Sequence, residues 1–210
     1  MAQNPGNSLP LLRLFALLLF AGCLSQPPNA PVPPTSGSSG TAPSGACGHR
    51  IVVSKSAYSL TLYRDDRVVK TYRAVFGKGY RDGDKGRKGD KRTPEGDFYV
   101  CDMHPSERFY KFLGLSYPSL KHAESGLRSG TISQREYLTI KKALEEGRQP
   151  PWDTRLGGAV GIHGRTAATT GVTASSGREN WTDGCIALDN ADVDELFSVV
   201  SLGTPVSILP

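Results

Sequence analysis

The sequence predicts a mainly β domain, a β-sandwich or related β-rich fold with two peripheral helices, over residues 49–210. Three observations predict it. Apolar and polar residues alternate with period two through Ser59–Tyr63, and further apolar, β-rich runs flank that stretch. Only two segments carry the 3.6-residue periodicity of an amphipathic helix. Strands and long helices do not alternate regularly, which excludes a doubly wound sheet.

The residues before the domain are a different material. Residues 1–48 hold a single charged residue, Arg13, and are otherwise apolar or rich in Pro, Gly and Ser. After Arg13 the run LFALLLFA, Leu14 to Ala21, has only eight apolar residues, too short to span a bilayer, and reads as an export signal over residues 1–22. It ends in Phe20-Ala21-Gly22-Cys23, which resembles the lipobox of bacterial lipoproteins, with Phe20 where leucine is usual. That resemblance implies cleavage before Cys23, lipid on Cys23, and a periplasmic domain held at the membrane. Residues 23–48 are expected to be a tether, because prolines deny hydrogen bonds to helix and ladder and Gly/Ser segments lose too much entropy on ordering. Beyond residue 48 stand 24 Lys/Arg and 20 Asp/Glu, a net charge of +4 with both signs interspersed. This excludes a case for nucleic acid.

Within the domain, IVVSKSAYSLTLYRDDRVVKTYRAVFG predicts a hairpin turning at Arg64-Asp65-Asp66. The following stretch, GKGYRDGDKGRKGDKRTPEG, predicts a long, exposed loop closed by the turn Thr93-Pro94-Glu95-Gly96, in which Arg81, Lys85, Arg87, Lys88, Lys91 and Arg92 outnumber the aspartates; it reads as solvated, the alternative being contact with anionic glycan or stem carboxylates. DFYV and FYKFLGLSYP predict further strands, and Thr204 to Leu209 a closing one. One helix is expected after the capping box Ser133-Gln134-Arg135-Glu136, with Tyr137, Ile140 and Leu144 on one face and Gly147 as the stop. The other is expected from Asp189 or Asn190, with Val193, Leu196, Phe197 and Val200 on one face and acidic residues in its first turns.

Four cysteines bear on redox chemistry. With Cys23 set aside, an oxidising compartment favours a Cys47–Cys101 disulfide, leaving Cys185 as a free thiol. Cys185 follows Trp181-Thr182-Asp183-Gly184 and lies 22 residues after His163, which sits in Gly161-Ile162-His163-Gly164. A histidine between glycines and a cysteine after one have unobstructed backbone around them. Together they suit acyl transfer: the imidazole ionises the thiol, a backbone carbonyl orients the imidazole, and the N–H groups of Gly184 and Cys185 stabilise an oxyanion. No metal or cofactor is expected, since the spacings of His104, His163, Asp183 and Cys185 fit no common zinc pattern.

GDKRTPEGDFYV, LGLSYP, IGIHG and WTDGCIALDNADVDELF, in that order, resemble the YkuD-type L,D-transpeptidase catalytic domain over residues 49–210. The resemblance implies a β-rich fold and a cysteine acyltransferase acting on peptidoglycan stem peptides. Such enzymes cut after a diamino acid that precedes a D-amino acid and pass the acyl group to an amine or to water. It implies Cys185 as nucleophile, His163 as base, the Gly164 carbonyl as its orienting group, and Thr182 and Gly184 as the turn before the nucleophile. Asp183 stands where many relatives carry a second histidine. Ala187 stands where many carry an arginine, a place that Arg165 or Arg178 is expected to fill for substrate. Trp181 and Tyr117 are expected to line the pocket. A hydrolase using the same thioester, and a wall-binding module that needs no reactive Cys185, are the competing readings.

Overall fold

The alternating pattern produces eight strands in a structure that is a computed structural model describing residues 48–165 and 180–210. Cys23, Cys47, Arg178, the expected signal and the tether before Cys47 lie outside the described residues. The strands are β1 (His49–Ser54), β2 (Ser59–Arg64), β3 (Arg67–Arg73), β4 (Gly96–Ser106), β5 (Tyr110–Leu115), β6 (Gly161–His163), β7 (Ile186–Ala187) and β8 (Pro205–Leu209). The three helices are α1 (Leu120–Arg128), α2 (Gln134–Glu145) and α3 (Asn190–Val199).

The strands form one curled sheet in the order β3-β2-β1-β8-β4-β5-β6-β7. β4 is long enough to serve two neighbours. Gly96 to Tyr99 pair with β8, and after a register shift at Cys101 the remainder pairs with β5. A shift of this kind bends a strand, and here it folds one half of the sheet over the other. The curl closes beyond β3, where Val75 exchanges hydrogen bonds with Ala187 of β7 at 3.0 and 2.9 Å. Inward-facing Ile51, Val53, Leu60 and Leu62 from the first half meet Leu113, Leu115, Ile162 and Ile186 from the second in one core.

The hairpin expected at Arg64-Asp65-Asp66 is present as β2–β3, but the apolar run before it is a separate strand, β1, paired with β2. α2 begins at the expected capping box, with the Ser133 hydroxyl accepting from the Glu136 amide and the Glu136 carboxylate accepting from the Ser133 amide. α3 starts at Asn190 as expected and buries Val193 and Leu196. α1 has no counterpart in the sequence reading. Its buried residues are His122, Ala123 and Gly126, so it lacks the apolar stripe that marks a helix. Gly126 is there because a Cβ would stand 2.9 Å from the Leu156 side chain.

The basic loop between β3 and β4 is exposed over much of its length yet firmly anchored. Thr93 is buried, and its hydroxyl accepts from the Gly77 amide at 2.9 Å. The Asp84 carboxylate accepts from the Glu95 amide at 2.7 Å and from His122 Nε2 of α1 at 3.0 Å, and Lys121 lies 2.7 Å away. These contacts hold Asp84 ionised well below the usual carboxylate range, the hydrogen bonds and cations outweighing burial.

Candidate functional site

The pairing of β6 with β7 sets the site. The two run parallel, His163 opposite Ala187 and Ile162 opposite Ile186. Cys185 is two residues before Ala187, so period-two alternation sends its side chain to the same face as His163, level with Gly161. Both residues line one cleft of about 690 Å³.

His163 is fully buried. Its Nδ1 lies 2.7 Å from the Gly164 carbonyl oxygen, which only accepts, so Nδ1 carries the proton. Nε2 is then the bare lone pair, and it is buried with no hydrogen-bond partner. The ring is held between Phe109, with centroids 4.3 Å apart, and Trp181, edge-on at 5.7 Å. Burial holds the imidazole down to about 4; the Gly164 carbonyl opposes this, and Arg108 and Arg165 add to it. The Cys185 sulfur lies 3.5 Å from the Ala159 carbonyl. Burial pushes its thiol up to about 11, against the pull of the Gly161 backbone and Lys85. Both shifts favour the uncharged forms. Both directions point to a thiol and a neutral imidazole in the free protein.

The turn before Cys185 is fixed by Thr182, whose hydroxyl accepts from the Gly184 amide at 3.2 Å and donates to the Cys185 carbonyl at 2.7 Å. The Gly184 N–H is therefore engaged and is not the free oxyanion donor expected from sequence. The Cys185 amide has no acceptor among the described residues. Gly184 has φ +138°, and a Cβ there would stand 2.7 Å from the Arg92 carbonyl oxygen, so this close approach requires glycine.

Gly164 is required for a different reason. The Asn190 side chain, at the start of α3, accepts from the Arg165 amide at 2.7 Å and donates to the Arg165 carbonyl at 3.2 Å. A Cβ on Gly164 would lie 2.4 Å from the same Asn190 oxygen. Asn190 thereby grips the chain that carries the His163-orienting carbonyl, a role the sequence reading did not assign.

The other expected site residues divide. Trp181 and Asp183 line the cleft, Asp183 exposed at its rim. Arg165 is buried, its Nε 3.5 Å from Asp189 and its guanidinium carbon 6.0 Å from the Trp181 ring centroid. Tyr117 is fully buried in the core against Phe98 and His122, its hydroxyl donating to the Leu156 carbonyl at 3.1 Å. It does not line the cleft. Ala187 is fully buried, its backbone paired with β6 on one side and Val75 on the other. Cys101 is half-buried, with burial raising its thiol to about 12; its expected partner Cys47 is outside the described residues. Lys85, Arg108, Phe109 and Trp152 also line the cleft. Lys85 belongs to the loop read as solvated; Arg108, Phe109 and Trp152 were missed because their spacing relative to Cys185 carries no sequence signal, and chain closure brings them together.

Residues 48–208 match the YkuD family, described as the L,D-transpeptidase catalytic domain. A putative L,D-transpeptidase YkuD of Bacillus licheniformis is 28% identical over 162 residues, 77% of this chain and 66% of that protein. The fold resembles that of Pgp2, a helical cell shape determining protein of Campylobacter jejuni, with TM-score 0.50 and 19% identity over 78% of this chain and 48% of that one. Bdellovibrio bacteriovorus Bd1075 is similar at TM-score 0.50 and 17% identity, with the same two coverages of 78% and 48%. The chain thus spans between about half and two thirds of the length of these relatives.

Proposed function

The chain belongs to the YkuD family of L,D-transpeptidase catalytic domains, and from that premise we propose that it transfers the acyl group of a peptidoglycan stem peptide, through a thioester on Cys185, to an amine. The observation that carries the reading is the His163 ring. Its Nδ1–H is committed to the Gly164 carbonyl, which leaves Nε2 as an unpartnered base on the same cleft wall as Cys185.

In this mechanism Nε2 takes the thiol proton as the sulfur attacks the carbonyl carbon of the peptide bond. The tetrahedral intermediate collapses, the C–N bond breaks, and His163 returns the proton to the departing amine. An acceptor amine then attacks the thioester and gives its proton to His163; the C–S bond breaks, and His163 returns the proton to the Cys185 sulfur. A neutral resting pair suits this order, because charge appears only once substrate is in place. Lys78, Lys88, Lys91 and Arg108 line the cleft against the single carboxylate of Asp183, which favours a donor peptide bearing carboxylates. Asp183 at the rim suits the ammonium of an incoming acceptor. We further propose that the domain works outside the cytoplasm, in the periplasm, tethered to the membrane through lipid on Cys23.

The test is incubation with purified muropeptide carrying a diamino acid followed by a D-amino acid, with intact-mass analysis. Wild-type protein is expected to gain the acyl mass on Cys185 and, with an amine acceptor, to yield cross-linked dimer. Cys185→Ala is expected to give neither, and His163→Gln to slow acylation by about 10²–10⁴-fold. Shortened monomer without transfer to any amine would make the enzyme a hydrolase, and no adduct at all would end the proposal.

A further inference from the structure

The turn at Thr182–Cys185 leaves the expected oxyanion site one donor short. The Gly184 N–H is bound to the Thr182 hydroxyl at 3.2 Å, and the Cys185 amide alone remains. A carbonyl oxygen acquiring negative charge in a water-poor cleft needs more than one donor aimed at it.

We propose that Lys85 is a catalytic residue whose ammonium supplies the second donor to the oxyanion formed at Cys185. This rests on the reading of Cys185 as nucleophile. Lys85 is 5% exposed and lines the same cleft as Cys185 and His163. Its Nζ lies 3.7 Å from the point a Cβ on Gly184 would occupy, so the missing side chain at 184 leaves the ammonium next to the turn. Two of its three N–H groups are used, on the Asp90 carboxylate at 2.7 Å and the Arg87 carbonyl at 3.1 Å. The third has no oxygen acceptor among the described residues, and the Tyr117 ring centroid stands 5.9 Å from Nζ on the core side.

The surroundings favour this over a plain structural ion pair. Gly86, Arg87, Lys88 and Gly89 on the same loop are exposed, and a lysine stem reaches water easily from such a loop. Turning this one inward incurs the desolvation of an ammonium, which the fold offsets with a dedicated carboxylate. That carboxylate is itself fixed by the amides of Gly86 at 2.8 Å, Arg87 at 3.0 Å and Arg92 at 3.1 Å. The segment from Lys85 to Arg92 thus acts as a mount for one ammonium.

The step balances without a further reactant. The sulfur–carbon bond forms as the thiol proton moves to His163 Nε2. The carbonyl π pair moves to oxygen, which accepts hydrogen bonds from the Cys185 amide and from Lys85 Nζ with no proton transferred by the lysine. The pair returns as the C–N bond breaks and His163 protonates the leaving amine.

The experiment compares wild type, Lys85→Met and Lys85→Met/Asp90→Asn. The double variant removes both charges, so no buried carboxylate is left unpaired to unfold the loop. Single-turnover acylation by muropeptide is read by mass, and alkylation of Cys185 by iodoacetamide, a reaction without an oxyanion, is read alongside. The expected result is a loss of about 10²–10³-fold in acylation rate, with KM within about threefold, an unchanged melting temperature for the double variant, and alkylation reduced much less than acylation. Acylation within threefold of wild type in the double variant overturns the inference. So does a raised KM at unchanged kcat, which would make Lys85 a ground-state carboxylate binder, and so does an equal fall in acylation and alkylation, which would make it structural. If wild type itself forms no adduct, the functional reading fails first and takes this inference with it.

Discussion

Burial acts on the two side chains of the proposed reaction in opposite directions with the same outcome, since it disfavours whichever form is charged. His163 is held down to about 4 from its ordinary 6.5, and Cys185 is pushed up to about 11 from 9.0. The acid limb of kcat/KM, which reports the free enzyme, is therefore expected near pH 4; a limb near 6.5 would mean that the imidazole is solvated and the resting pair different. Stability follows by linkage. Between about pH 6.5 and 4 the unfolded chain binds a proton at residue 163 that the folded chain does not, so this contribution is present above 6.5 and is lost as pH falls towards 4. A shift of this size corresponds to roughly 3 kcal/mol. Urea titrations of wild type against His163→Gln over that range are expected to show the slope with pH shrink in the variant. The thiol acts with the opposite sign, its contribution present below pH 9 and lost between 9 and 11.

In the proposed mechanism α3 contributes to catalysis without touching substrate. Its first residue, Asn190, clasps both backbone groups of Arg165 and forces glycine at 164, so the start of a helix sets where the His163-orienting carbonyl stands. Asn190→Ala is expected to lower kcat about tenfold or more at little changed KM and to cost about 1–3 kcal/mol for two lost hydrogen bonds. Asn190→Asp keeps the acceptor for the shorter bond and should recover part of kcat; equal loss in both variants, or a loss confined to KM, would remove Asn190 as a positioning residue. The helix itself was legible, because capping chemistry and apolar spacing are local signals. His163 and Cys185, singled out in the sequence by the glycines beside them, do line one cleft. α1 was not legible, since its buried face is a histidine, an alanine and a glycine. Nor was the inward turn of Lys85, since its loop has the composition of a solvated segment and only the mount around Asp90 reverses that. Tyr117 failed for a related reason. An aromatic near the end of β5 reads equally as pocket wall or core, and the packing against Phe98 and His122 decides it.

At the scale of the molecule the sheet closes by bringing the chain beyond β3 onto β7, and this closure builds the cleft. Val75 pairs with Ala187 and the Lys78 amide with the Thr182 carbonyl at 3.0 Å, so the basic loop is delivered directly beside Cys185. A cleft lined with cations and placed on a domain of net charge +4 suits work against an anionic polymer more than free diffusion. The proposed tether of residues 23–48 would serve such work. Lipid on Cys23 would then fix the distance from the membrane at which the cleft operates. In cells fed an alkyne fatty acid, wild-type protein is expected to take up the label and to sediment with membranes, because two or more acyl chains hold firmly where one does not. Cys23→Ala is expected to lose the label and appear in the soluble fraction with its acylation activity on muropeptide intact, since residue 23 is far in sequence from every group in the cleft. Label retained in Cys23→Ala, or wild-type protein found soluble and unlabelled, would leave the domain exported without an anchor and would return Cys23 to an ordinary residue near a cleavage site.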